Sequence, residues 1–497
     1  MTSNFIYDDV PYPSFVFPQT SPDRLSTLAR IHGIEAAAPS DCRMLELGCG
    51  DGTNLLALAY AMPNSQFVGI DLAASHINAG KAAAAKLGLA NIELLELDVT
   101  KADAGALGEF DFIVAHGLFS WVPDFVRPAI LDLYTKCLAP NGIGYISYNA
   151  LPGCLIREIT HGMMKSGSRN VADPAEKVRA GIAFLSGIVE AAEADSVYQE
   201  MLGLELEQIS ERTPENVFHD DLSEVNRPFY FEEFGALLDT HGFQYLCEAE
   251  PSELARSAAF KFPASLGEDL VAREQYRDFV VGRRFRTTLF CRAGKEIDRS
   301  FPATRLLAIH LAGQFEIDDP AAVAGTGSLT VRAAKGNKFT LNHPPTKAAV
   351  VRIANSWPHG VLGSELIADM PENDGEATLG FLMQLFMAGF VKAHAFEQSF
   401  VTSISETPEV SRFARHQISE GSNAVATLTG LNLEIKDPAI GRLLSLCDGT
   451  RDIEDLTGAM FEYAAECGEA EVPGHDEMRE SVLNNLQAFA DAGLLVG

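Results

Sequence analysis

The chain has 497 residues, 47% apolar and 21% charged, too many for one ordinary core and enough for about three domains of a soluble globular kind. Its 38 basic and 68 acidic side chains give a net charge of −30, which repels phosphate backbones and argues against nucleic acid as a partner. No stretch approaches the roughly 20 uninterrupted apolar residues of a membrane span, and MTSNFIYDDVPYPS lacks the basic and apolar regions of an export signal, so a cytoplasmic protein with no membrane partner is expected.

The eight cysteines, Cys42, Cys49, Cys137, Cys154, Cys247, Cys291, Cys447 and Cys467, show no CxxC pair and no zinc-like Cys/His spacing. They read as reduced thiols, with no metal site.

After an N-terminal arm (1–40), five apolar runs, RMLELGC, SQFVGID, IELLELDV, FDFIVAHG and GIGYISYN, alternate with helical stretches. That rhythm predicts an α/β domain over 41–154: a doubly wound, Rossmann-like parallel sheet with helices on both faces. A mainly helical insertion follows over 155–227. A helix closed by Gly242 and strands at FQYLCEAEP and FRTTLFCRAG then complete the sheet over 228–295.

Beyond that, two segments resemble each other, each reading as helix, turn, helix, longer helix and β-like tail. They predict an α-rich C-terminal domain of two winged-helix-like units, 296–400 and 401–497. The third-helix stretches ATLGFLMQLFMAG and SVLNNLQAFADAG contain no Lys or Arg, so the units are expected to serve protein interaction, dimerisation or substrate presentation rather than DNA binding.

The chemistry begins at Glu46 to Gly52. A Walker loop is excluded because no lysine occurs from Met44 to Gly80. A dinucleotide fingerprint fits poorly, since the third glycine position after Gly48 and Gly50 falls on Thr53 and Glu46 lies where a pyrophosphate would sit.

The turn suits S-adenosylmethionine, which carries no phosphate. Gly48, Cys49, Gly50 and Gly52 would pass the backbone along its amino-acid end, the following helix N-terminus would favour its carboxylate, and Glu46 would balance its ammonium. Asp71, 19 residues beyond Gly52 at the end of VGIDL, would accept the ribose hydroxyls. Asp98, ending LELDVT, would accept from the adenine amino group, with Leu72 and Val99 lining the ring. Each feature alone could be a tight turn or a helix cap; the cofactor reading rests on their order and spacing.

This segment resembles the class I S-adenosylmethionine-dependent methyltransferases. YDDVPYPSFVFPQTSPDRL, HGLFSWVP, SYNALPG, HDDLSEVNRPFYFEEF and FRTTLFC further resemble a bacterial group within that class. Its members carry a methyltransferase regulatory domain and a C-terminal extension, and include the rickettsial lysine methyltransferases of outer-membrane proteins. Family members often have Pro-Gly-Trp where this chain has Pro152, Gly153 and Cys154. The resemblance implies methylation of protein lysines, with S-adenosylhomocysteine as product.

On the acceptor side, His116 and Trp121 could steer or stack on a cation, and Tyr148 and Asn149 could accept a hydrogen bond from the amine. His116 could also meet the cofactor, and Tyr7, Tyr12 and Gln19 of the arm could close over it. His219, Asp220 and Asp221 are read as helix caps of the insertion or as substrate contacts. Two other functions stay open: a small-molecule methyltransferase, and a non-catalytic binding module that kept the fold. A homodimer through the middle or C-terminal regions is a further expectation.

Overall fold

The computed structural model describes residues 15–496 except 320–322, 324, 326, 334–335 and 468–473, so Tyr7 and Tyr12 lie outside the described residues. Seven strands form the central sheet: β1 (Arg43–Leu47), β2 (Gln66–Asp71), β3 (Ile92–Glu96), β4 (Phe110–Ala115), β5 (Leu138–Asn149), β6 (Phe243–Glu248) and β7 (Phe285–Arg292). Their order is β3-β2-β1-β4-β5-β7-β6. The first five strands pair in parallel, and β7 runs antiparallel between β5 and β6.

Alternate residues serve opposite faces, as strand geometry requires. Leu45, Leu47, Ile70, Ile113, Ile146 and Tyr148 face one core, while Met44, Phe67, Phe112, Val114 and Tyr145 face the other.

Glycine closes the helix Ala74–Leu87, whose C-cap Gly88 has φ 69°. Gly242 likewise ends the turn after the helix Phe231–Thr240 at φ 78°.

The middle region is four helices, Cys154–Ser168, Pro174–Ala191, Val197–Ser210 and Pro214–Asp221, packed around Met164, Val178, Leu185, Leu202 and Val217. His219, Asp220 and Asp221 do not begin the last helix as caps; they form its final turn, and Thr213 is the cap. Carboxylates at a helix C-terminus oppose its dipole. Here Arg157 and Arg212 neutralise them, with Arg157 Nε 2.8 Å and Arg212 Nη1 2.5 Å from Asp221 and Arg212 also paired to Asp220.

The first C-terminal unit adds β8 (His310–Ala312), β9 (Phe315–Ile317), β10 (Leu329–Ala333), β11 (Lys338–Leu341), β12 (Val361–Leu362) and β13 (Lys392–His394) to helices Pro344–Ser356, Gly363–Ile367 and Glu372–Met387. Its Leu306, Leu311, Val350, Ile353, Leu382 and Phe386 belong to the same apolar layer as Met44, Phe112 and Tyr145, joined through Leu25, Leu28 and Ile31 of the helix Pro22–Ile31.

The second unit has its own core. It contains β14 (Glu409–Val410), the hairpin β15 (Ala424–Ala426) and β16 (Asn432–Glu434), helices Pro438–Leu446, Ile453–Cys467 and His475–Asp491, and β17 (Leu495–Val496). Its last helix starts six residues before SVLNNL and includes Arg479, which is engaged with Glu454 at 2.7 Å. Strands precede the helix Pro344–Ser356 in the first unit, whereas in the second a further helix, Arg412–Ser419, lies between β14 and the hairpin. Among the described residues, no helix is long and apolar enough to cross a membrane.

Candidate active site

At the end of β1 the chain turns through Gly48, Gly50 and Gly52 at φ 72°, 57° and 74°, left-handed values that disfavour a Cβ. The Gly48 and Cys49 amides donate to the Ile70 carbonyl at 2.8 and 3.1 Å, locking the turn onto the end of β2. A side chain at Gly80, unremarked in the sequence, would collide with the Asp51 carbonyl. The helix Ala74–Leu87 therefore seats directly against the turn.

Glu46, Asp51 and Asp71 lie together at this turn, and Asp98 follows β3. Glu46 is 4% exposed. Burial, with Asp51 and Asp71 nearby, raises its pKa from 4.5 to about 8 even though Asn54 hydrogen-bonds it. Asn54 Nδ2 lies 3.2 and 3.3 Å from the two Glu46 oxygens.

Asp71 accepts the Gly50 amide at 2.9 Å on one oxygen and the Ala73 amide at 2.8 Å on the other, leaving each oxygen capacity for another donor. Asp98 accepts the Thr100 amide and hydroxyl at 2.9 and 2.7 Å through one oxygen and faces Lys101 at 3.1 Å with the other. It thus caps the short 3-10 turn Val99–Lys101. Leu72 is an apolar residue left 45% exposed at the end of β2. Val99 packs partly on the core. The Cys49 thiol is buried and its pKa pushed well up, first by burial and then by Glu46 and Asp71, so it stays a neutral thiol.

His116 follows β4 on the same face as Glu46. Its Nδ1 shares a 2.8 Å hydrogen bond with the Tyr145 hydroxyl, and burial lowers its pKa to about 4. Phe17 of the arm lies 4.2 Å from it, ring to ring, and Phe285 lies edge-on at 6.2 Å. Gln19 falls in the short 3-10 turn Pro18–Thr20 of the same arm.

Tyr148 corrects the sequence expectation. One residue out of phase with Ser147 and Asn149, it faces the opposite core and stacks on Phe234 at 4.2 Å, away from His116. The strand neighbours on the His116 side are Tyr145 and Ser147, whose hydroxyl accepts the Gly117 amide at 2.8 Å. Strand parity carried that signal.

Asn149 is buried at the end of β5 and donates to Asn226 Oδ1 at 2.7 Å; Asn226 donates on to Glu158 at 2.6 Å. Trp121 is partly exposed, with the Arg157 guanidinium 5.9 Å over its ring, so one of its faces already holds a cation. Gly153 packs against the Gly282 and Arg283 carbonyls, and the buried Cys154 begins the first middle helix. Asn54, Tyr145, Ser147, Asn226 and Glu158 were not singled out in the sequence, because each acts through a residue distant in the chain.

Sheet order, the glycine turn and carboxylates at successive strand ends define a class I methyltransferase fold. Residues 38–204 match the family described as "Methyltransferase domain", 213–292 "Predicted methyltransferase regulatory domain", and 406–492 "PKMT, C-terminal winged helix domain". The chain belongs to the S-adenosylmethionine-dependent methyltransferases that carry this regulatory domain.

An uncharacterized protein of Rickettsia prowazekii is 38% identical over 303 residues, 59% of this chain and 54% of that one; the chain thus spans about half of this relative. A second from the same organism is 35% identical over 47% of this chain and 93% of its own. The structure of PKMT2 from Rickettsia typhi is similar over 98% of this chain and 100% of that one, at 26% identity and a TM-score of 0.84. Its complex with AdoHcy gives 25% identity, the same coverage and a TM-score of 0.85.

Proposed function

We propose that the protein transfers methyl groups from S-adenosylmethionine to lysine side chains of a protein substrate. The observation that carries the donor half is the carboxylate group at the glycine turn: a buried Glu46 with its pKa raised to about 8 has no cation beside it among the described residues, and the donor's ammonium would supply one. No phosphate ligand fits beside Glu46, Asp51 and Asp71.

In this reading Glu46 holds the ammonium, and the turn and the N-terminus of the helix Thr53–Ala61 hold the carboxylate. Asp71 accepts the ribose hydroxyls. Asp98 shares its Lys101-facing oxygen with the adenine amino group, and Leu72 and Val99 flank the ring.

When bound, the cofactor supplies an electrophilic methyl on a sulfonium whose positive charge is relieved by transfer. Releasing the lysine proton costs about 4.6 kcal/mol at pH 7. Orienting the amine can return roughly 7 to 11 kcal/mol, so a strong base is not required. His116, neutral at that pH, shapes the site without adding positive charge. Asn149 and Trp121 orient the amine.

The match to the PKMT winged-helix family and to the Rickettsia typhi PKMT2 supports the lysine half. The test incubates the protein with methyl-labelled S-adenosylmethionine and polypeptides whose lysines are free or acetylated. Label on the free form alone is expected. Label on neither, or only on a small metabolite, overturns the acceptor assignment. The homodimer is retained on the apolar residues exposed along the middle helices, Phe184, Val197, Tyr198 and Leu204; a monomer mass in light scattering overturns it.

A further inference from the structure

The second winged-helix unit reaches back across the fold to the arm. Asn432, at the start of β16, accepts the Val16 amide at 3.1 Å on its side-chain oxygen and donates to the Val16 carbonyl at 2.8 Å. The amide thus mimics a strand neighbour for a residue 416 positions away. Val16 also packs with Leu56 and Leu87 of the methyltransferase helices and with Phe413 and Ala426 of the second unit.

The next residue is Phe17, whose ring meets His116 and whose amide donates to Asn54 Oδ1 at 2.9 Å. Asn54 in turn contacts Thr20 Oγ1 at 3.0 Å and both Glu46 oxygens. An unbroken hydrogen-bonded chain therefore runs from the hairpin β15–β16 through the arm to the carboxylate assigned to the donor's ammonium.

We propose that Asn432 is a positioning residue for the methyl-donor site: the C-terminal unit holds the arm, and through Asn54 it sets Glu46 and the His116 wall. This rests on the donor reading above. Because donor binding can itself draw the arm closed, the contact acts on affinity rather than on the saturated rate.

The test compares wild type with Asn432→Ala and Asn432→Asp by calorimetric titration with S-adenosylhomocysteine and by steady-state methylation at varied S-adenosylmethionine. Loss of both hydrogen bonds should raise Kd and the donor KM about tenfold, with kcat within about twofold. Asn432→Asp keeps the acceptor for the Val16 amide but sets a second carboxylate oxygen against the Val16 carbonyl, so its loss should be at least as large as that of Asn432→Ala. Lys86→Ala removes an exposed pair with Glu420 that joins the same unit to the helix Ala74–Leu87, and should leave Kd unchanged.

Equal Kd in Asn432→Ala and wild type overturns the coupling. So does an equal loss in Lys86→Ala, which would mark general loosening. If Asn432→Ala fails to fold, Asn432→Asp and hydrogen exchange at the Phe17 amide decide in the same way. Absence of binding by wild type overturns the donor reading instead.

Discussion

Replacing Glu46 by Gln separates the two consequences of burying a carboxylate at the glycine turn. Gln keeps an oxygen for Asn54 but removes the titration. In the free protein Glu46 titrates near pH 8 instead of 4.5, so at pH 7 about nine molecules in ten carry the proton. A ligand ammonium needs the carboxylate. Affinity for S-adenosylhomocysteine should therefore rise about tenfold between pH 6 and pH 7, with close to one proton released per ligand bound. It should level off near pH 8, where an α-amino group loses its own proton at about 7.7–8.0.

Stability runs the other way. A group whose folded pKa is raised contributes fully below its unfolded value and loses that contribution as pH climbs through the folded value. Free wild-type protein should accordingly lose on the order of 4 kcal/mol between pH 4.5 and pH 8 relative to Glu46→Gln. Calorimetric titration in buffers of different ionisation enthalpy reads the proton release, and urea midpoints read the stability. Equal pH slopes for wild type and Glu46→Gln, in binding and in stability alike, would refute the reasoning.

His116, whose folded pKa is lowered by burial to about 4, gives the opposite sign: its contribution is present above the unfolded value near 6.5 and lost as pH falls toward 4. His116→Asn should flatten the fall of the urea midpoint across that window, and an unchanged acid limb would count against a buried neutral ring. Asp71→Ala frees the Gly50 and Ala73 amides and removes the acceptor assigned to the ribose. It should weaken S-adenosylhomocysteine binding by about 100-fold or more, and calorimetry showing wild-type affinity would remove Asp71 from the site. On the far face of β7, the buried Arg286 meets Glu248 at 2.6 Å, Asp278 at 2.8 Å and Glu274 at 3.0 Å. Arg286→Met leaves those carboxylates without their central cation and should cost about 3–5 kcal/mol in urea unfolding; a loss under 1 kcal/mol would show that the network relaxes.

Sequence reading reached the features that are local in the chain. The turn from Glu46 to Gly52 and the acid ending β2 are legible because strand, turn and helix follow one another within 30 residues. The run GIGYISYN shows alternation without saying which parity faces His116; the hydrogen bond between Tyr145 and His116 and the stacking of Tyr148 on Phe234 settle it. Asn54 reads as an ordinary polar residue in the first turn of a helix, since its partners Phe17 and Thr20 come from the arm and Glu46 from β1, both separate from it in the chain. The short strands β8 to β11 left too few residues for a period-two pattern to stand out, although LTVRA does alternate buried with accessible positions.

The apolar layer shared by the sheet and the first C-terminal unit changes what the stretch between the matched families is. Residues 293–405 fall between the regulatory-domain and winged-helix matches, where a modular view would draw a linker. Yet Leu306, Leu311, Val350 and Phe386 close the same face that Met44, Phe112 and Tyr145 open. That stretch is the keel of the catalytic half. A truncation at Arg292 would strip the cover from the sheet beside the site and yield an aggregating fragment, whereas one near residue 400 would remove a unit with a separate core. Heating should therefore melt the methyltransferase sheet and the first C-terminal unit as one cooperative block, a folding unit that straddles the family boundary.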